Sequence, residues 1–83
     1  MQQRIVFVED DHDLAELIGD YLRSYGLDVT HIDRGDTAVE AILADPPDLV
    51  MLDIMLPGKD GLTVCRELRP KYAGPIVMLT SLN

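Results

Sequence analysis

The stretch Leu49-Val50-Met51-Leu52-Asp53-Ile54-Met55-Leu56-Pro57-Gly58-Lys59-Asp60-Gly61 decides how the chain is read. It opens with four apolar residues in a row. A run that is apolar at every position, rather than at every second one, suits a strand covered on both faces, as in a parallel sheet. The run stops on an acid, Asp53. Pro57-Gly58 and Asp60-Gly61 then supply turn chemistry. Leu62, Cys65 and Leu68 follow at helical spacing, and Pro70 closes that helix. Strand, acid, turn and helix come in that order.

The same grammar holds on either side. Ile5-Val6-Phe7-Val8 is a continuous apolar run that ends in Glu9-Asp10-Asp11. Ile76-Val77-Met78-Leu79 is another, entered through the turn Tyr72-Ala73-Gly74-Pro75 and followed by Thr80-Ser81. Asp28-Val29-Thr30-His31-Ile32 alternates instead, which predicts an edge strand with one wet face. Between the strands, Leu14, Leu17, Ile18, Tyr21, Leu22 and Tyr25 recur at helical spacing. Asp11 suits the cap of that helix, Asp13 its positive end and Gly26 its close. Val39, Ile42 and Leu43 mark a shorter helix stopped by Asp45-Pro46-Pro47. Alternating strands and helices predict one α/β domain, a doubly wound parallel sheet with right-handed crossovers. A leucine-rich solenoid is rejected, because no L-x-x-L-x-L-x-x-N pattern repeats.

Composition narrows the function. The 83 residues are 47% hydrophobic and 27% charged, ordinary values for a globular domain and not for a disordered one. Fifteen acids against seven Lys and Arg give a net charge of -8. That balance repels phosphate backbones, so no direct nucleic-acid binding is expected of this segment; a cation or a basic protein face fits better. Cys65 is alone, so no disulfide framework forms. No apolar run approaches a membrane span and no secretory leader is visible, so the expected location is cytoplasmic.

In an open parallel sheet, ligands bind beyond the carboxyl ends of the strands. Those ends carry Glu9-Asp10-Asp11, Asp53 and Thr80-Ser81. If the first, third and fourth strands are neighbours, three or four carboxylates and two hydroxyls converge. Crowded carboxylates repel one another and raise their own pKa values, unless a cation sits among them. A few carboxylate oxygens with room for water suit magnesium. A metal beside one carboxylate makes that oxygen a plausible phosphoryl acceptor. A single acidic strand end is commonplace, and Asp11 reads as a helix cap. Two acidic strand ends with a Thr-Ser end, in alternating βα context, favour the metal reading.

At these residues the chain resembles the receiver domains of two-component response regulators. Val8-Glu9-Asp10-Asp11 is similar to the family's acidic pair, Leu52 to Gly61 to its phosphoacceptor segment, and Pro75 to Ser81 to its fourth strand and switch hydroxyl. Met-Leu-Pro-Gly-x-Asp-Gly resembles the OmpR/PhoB group, whose members carry a winged-helix DNA-binding domain, and within it the RstA-type regulators. The resemblance covers residues 4–83. It implies a flavodoxin-like (CheY-like) fold with strand order 2-1-3-4. It implies Asp53 as phosphoacceptor, Asp10 and Asp53 as magnesium ligands with the backbone carbonyl of Met55, Glu9 acting through a water, and Thr80 as switch hydroxyl. Glu9 stands where an Asp is commoner. The family fold continues with a helix, a fifth strand followed by a pairing Lys, and a final helix. On that reading residues 1–83 are the N-terminal part of a receiver domain, and neither Lys59 nor Lys71 takes the role of that Lys. The implied partners are a histidine kinase and a second copy of the chain at the edge of the strand at 75–80, with transcriptional output in the parent protein.

Other residues have plainer readings. Gly58-Lys59-Asp60-Gly61 spells the bare G-x-x-G of a KH-type RNA loop, but the acidic chain argues against RNA. His12 and His31 stand apart and read as solvated or strand-face histidines rather than metal ligands. Cys65, Tyr21 and Tyr25 read as helix packing. A phosphatase-like (HAD-like) enzyme also uses an acceptor aspartate and magnesium, yet it wants an acid two residues later, where this chain has Met55. A structural interaction module that never takes phosphate is the third reading. The leading one is a signalling phosphoacceptor rather than an enzyme.

Overall fold

The computed structural model of the protein describes residues 2–79. Its elements run β1 (Arg4–Val8), α1 (His12–Arg23), β2 (Asp28–Ile32), α2 (Gly35–Ala44), β3 (Leu49–Asp53), α3 (Gly61–Leu68) and β4 (Ile76–Leu79). All strand pairings are parallel, in the order β2-β1-β3-β4. The doubly wound sheet and the 2-1-3-4 order are as expected from the sequence.

The continuous apolar runs are explained by two cores, one on each face. Side chains alternate across a strand. Val6 and Val8 of β1, with Val50 and Leu52 of β3, therefore pack against Ala38 and Ile42 of α2 and Val64 and Leu68 of α3. Ile5 and Phe7 point the other way, to Ala15 of α1 and Val29 of β2, with Ile18, Leu22 and Met51 packed around them. Phe7, Val8, Val50 and Leu52 are fully buried. β2 is an edge strand with Val29 buried and Asp28 and Thr30 exposed, as its alternation predicts. β4 is the other edge of the described sheet. It is less buried than a fully covered strand, and Val77 is exposed.

The caps also follow the sequence. Asp11 accepts from the Leu14 amide at 3.1 Å and Asp60 from the Thr63 amide at 2.9 Å, so each helix start has an orphan N–H satisfied. Two helix stripes need correction. On α1 the buried line is Ala15 and Gly19, with Ile18 and Leu22 beside it. Tyr21 and Tyr25 do not pack into the core; they are 62% and 70% exposed and meet edge to face at 5.2 Å between ring centroids. Ala15 is small enough to let the helix axis approach the sheet, Gly19 is covered by the Arg23 side chain, and the larger side chains on the flank are left outside. On α3 the same logic selects Gly61, Val64 and Leu68, so Leu62 is exposed and Cys65 half-buried.

Tyr72 closes the lower core. It is buried, and its hydroxyl donates to the Pro47 carbonyl at 2.9 Å. Ile42→Ala removes a fully buried side chain and is expected to cost about 2–5 kcal/mol. Tyr72→Phe leaves the Pro47 carbonyl without its donor and is expected to cost about 1 kcal/mol. Urea unfolding of both variants checks the pair; an Ile42→Ala loss no larger than that of Tyr72→Phe would contradict this core.

Candidate metal centre

Strand register builds the site. Val8 of β1 pairs with Leu52 of β3, so the next residue on each strand brings Glu9 beside Asp53. Glu9 is held on its other side as well, where its amide donates to the Ile32 carbonyl at 2.9 Å. Asp10 follows as the chain turns towards α1. Glu9, Asp10 and Asp53 each bring a carboxylate oxygen within 4.8 Å of the others. Glu9 and Asp53 are buried, at 5% and 7% exposure, while Asp10 faces solvent. Together with Asp11, Leu14 and Met55 they line a cleft of about 290 Å³.

Local hydrogen bonds orient the acids. The Met55 amide donates to Asp53 Oδ1 at 3.2 Å, and the Asp10 amide donates to Glu9 Oε2 at 3.0 Å. Burial, and then the neighbouring Asp53 carboxylate, push the Glu9 carboxyl from its ordinary 4.5 up to about 8. Three acids therefore share a cleft that no Lys or Arg lines among the described residues. Lys59, the nearest lysine in sequence, is engaged with Glu67 on α3 at 2.8 Å.

Of the residues the sequence singled out, Glu9, Asp10, Asp53 and Met55 come together in this cleft. Thr80 lies outside the described residues. Asp11 lines the cleft and also caps α1, so the plainer reading of it holds. Sequence reasoning missed His31. Its Nε2 lies 2.6 Å from the Glu9 carbonyl oxygen and buttresses the turn that carries Glu9 and Asp10. Its ring also meets that of His12 edge-on at 5.4 Å, and His12 reaches Asp33 at 3.0 Å. The signal was available only with the strand order, because β2 pairing places His31 beside Phe7, two residues before Glu9.

The raised Glu9 pKa has a stability consequence. The unfolded chain loses this proton near pH 4.5 and the folded chain near pH 8. Below that window both states hold the proton and the contribution of the group is fully present. Within the window the unfolded state releases the proton and the folded state does not, so stability falls as pH rises. In chelator, the urea midpoint is expected to decline between about pH 4.5 and 8, and the decline is expected to flatten in Glu9→Gln. Parallel pH curves for the two proteins would contradict this picture of the site.

Comparison with known proteins gives the same picture. Residues 5–83 match the family described as the response regulator receiver domain. The chain is 61% identical over 79 residues to the transcriptional regulatory protein RstA of Escherichia coli (strain K12), a match covering 95% of this chain and 33% of that protein. It thus spans about a third of the length of that relative. Its structure is similar to the BeF3-activated N-terminal receiver domain of Klebsiella pneumoniae RstA, with a TM-score of 0.91 and 57% identity over 96% of this chain and 68% of that one. A two-component response regulator from Clostridium difficile is similar too, with a TM-score of 0.91 and 28% identity over 99% of this chain and 68% of that one. On the family match, the identity to RstA and the shared 2-1-3-4 sheet, the chain belongs to the response regulator receiver domain family.

Proposed function

We propose that this chain is the N-terminal part of the receiver module of a longer two-component response regulator, in which Asp53 takes a phosphoryl group from a histidine kinase and thereby controls a transcriptional output. The observation that carries the reading is the Asp53 carboxylate, buried at the end of β3 within reach of Glu9 and Asp10 in a cleft open at Asp10. The similar Klebsiella domain is described as BeF3-activated, which supports an acceptor site of this kind. The printed name of the RstA relative supports transcriptional regulation as the output of the whole protein.

The donor set fits magnesium. Every available ligand is a hard oxygen, the acids are crowded enough to hold a proton on Glu9, and the cleft has room for water. Asp10, Asp53 and the Met55 carbonyl would hold the ion, with Glu9 acting through a water. Bound there, magnesium supplies positive charge opposite the oxygens of the incoming phosphoryl group. The chain's own residues do the positioning. The Met55 amide fixes the Asp53 carboxylate, while Leu14 and Met55 wall the cleft. Thr80 is the hydroxyl that would bond the transferred group, and the reaction leaves the module a phosphoacceptor in a signalling chain.

Partners in this reading are the histidine kinase and a second copy of the chain. Among the described residues no helix is long and apolar enough to cross a membrane. The reading places the module in the cytoplasm.

Two measurements test the proposal. With acetyl phosphate and magnesium, intact mass is expected to show one phosphoryl group added to the protein and none added to Asp53→Asn; equal labelling of both would overturn Asp53 as acceptor. Magnesium at ~100 times its dissociation constant is expected to add about 2.7 kcal/mol to the unfolding free energy. Asp10→Asn is expected to lose most of that gain at the same concentration, and identical melting in magnesium and in chelator would overturn the metal site.

A further inference from the structure

The loop between β3 and α3 carries the Met55 carbonyl that the proposed function assigns to magnesium. One end of this loop is fixed by β3 at Asp53 and the other by α3, where the Gly61 amide donates to the Ile54 carbonyl at 2.8 Å. Its outer turn, Pro57-Gly58-Lys59, reaches α3 only through the Lys59 side chain, which pairs with Glu67 at 2.8 Å, and its backbone bonds to neither element. It rests on the first turn of α2, which lines no part of the acidic cleft.

Three observations define that seat. The Gly35 amide donates to the Pro57 carbonyl at 3.2 Å. Gly35 is buried, and a Cβ built on it would overlap the Lys59 carbonyl oxygen, so only glycine lets α2 approach the loop this closely. Across the contact, Gly58 has φ +80° and turns its α-carbon against Asp36, where a Cβ would fall 2.6 Å from the carboxylate carbon. The Asp36 carboxylate is itself held by both ends of the Arg34 guanidinium, Nε at 2.9 Å and Nη2 at 3.1 Å.

We infer that the N-terminal turn of α2, through the close seat of Gly35 against the loop, positions the metal-ligating loop, so that Gly35 and Gly58 are positioning residues for magnesium binding although neither touches the cleft. Met55 lies between two anchors, Asp53 on β3 and Pro57 on α2, with one residue separating it from each. Displacing the second anchor re-aims the Met55 carbonyl. Magnesium demands near-ideal octahedral geometry, so a small change of aim is costly. Losses of about 10- to 100-fold in affinity are usual when groups that orient a metal ligand are disturbed.

The inference rests on the proposed magnesium site, and the experiment separates the two. Magnesium titrations by calorimetry are run on the protein, on Gly35→Ala and on Gly26→Ala. Gly26 also has positive φ, at +83°, but a Cβ there meets nothing, and it lies at the end of α1, far along the chain from the loop. Gly26→Ala therefore serves as the destabilised control. Gly35→Ala is expected to weaken magnesium binding at least about tenfold, while Gly26→Ala stays within about twofold. In the metal-free protein, Gly35→Ala is also expected to shift the amide resonances of Ile54 and Met55, and Gly26→Ala is not. If Gly35→Ala does not fold, Gly58→Ala takes its place, alone and combined with Asp36→Ala. The clash predicts that removing the carboxylate recovers part of the lost affinity, whereas local backbone strain alone predicts no recovery. Unchanged affinity and unchanged Ile54 and Met55 resonances in Gly35→Ala, or no recovery in the double variant, overturn the inference. A protein that binds no magnesium overturns the proposed site, and the resonance shifts then still decide whether α2 positions the loop.

Discussion

Parallel pairing of β1 with β3 is the constraint on which the rest depends. Val8 faces Leu52, and the residues just beyond are Glu9 and Asp53. Two carboxylates are thereby carried to the edge of a fully buried apolar layer, where charge is poorly solvated and like charge is close. The fold tolerates this because Glu9 keeps its proton up to about pH 8 and because backbone amides of Asp10 and Met55 reach the two acids. Among the described residues no buried side-chain nitrogen or oxygen lacks a hydrogen-bond partner. The tension in the site is electrostatic, and what relieves it is added charge of the opposite sign.

The remaining architecture serves to hold that register. β1 and β3 send alternate side chains into two separate cores, so a slip of either strand by one residue would exchange the two sets. Helices seat closely because their sheet-facing positions are small: Ala15 on α1, Ala38 on α2, Gly61 on α3. At the opposite end of the sheet, Arg4 binds the Asp45 and Pro46 carbonyls and pairs with Asp45 at 3.1 Å. Its Asp45 partner is exposed, so this link contributes little to stability by charge alone. Its value is geometric, because it ties the start of β1 to the segment entering β3, as does the Arg4 amide bond to Asp48 at 2.7 Å.

Much of this was legible in the sequence. Unbroken apolar runs announced strands covered on both faces, alternation marked β2 as an edge, and the acids at Glu9-Asp10 and Asp53 announced a site once strands were placed. Two kinds of feature were not legible. One is which flank of a wide apolar helix stripe is buried: Leu17, Tyr21 and Tyr25 satisfy helical spacing as well as Ile18 and Leu22, yet the contact is set at Ala15, with Ile18 and Leu22 packed beside it. The other is contact across the top of the sheet. His31 reaching the Glu9 carbonyl, and Gly35 and Asp36 reaching Pro57 and Gly58, join segments whose spacing carries no periodic signal. Such contacts depend on where loops land after the layers have packed, and a glycine at a helix start looks the same whether or not another backbone lies against it.

The strand order has a consequence for how the chain is made. Of the four described strands, the first to leave the ribosome ends up inside the sheet, flanked by the second and third. It can pair with β2 soon after synthesis, but its other edge has no partner until residues 49–53 have emerged. At translation rates of about 5–20 residues per second, that wait lasts on the order of a few seconds, long compared with the microseconds in which local helices form. Val6 and Val8 stay uncovered for that time, since the helices and strand that bury them lie later in the chain. The nascent segment from β1 to β2 is therefore a stage at which these strands are open to wrong association, and it passes when β3 arrives between β1 and solvent.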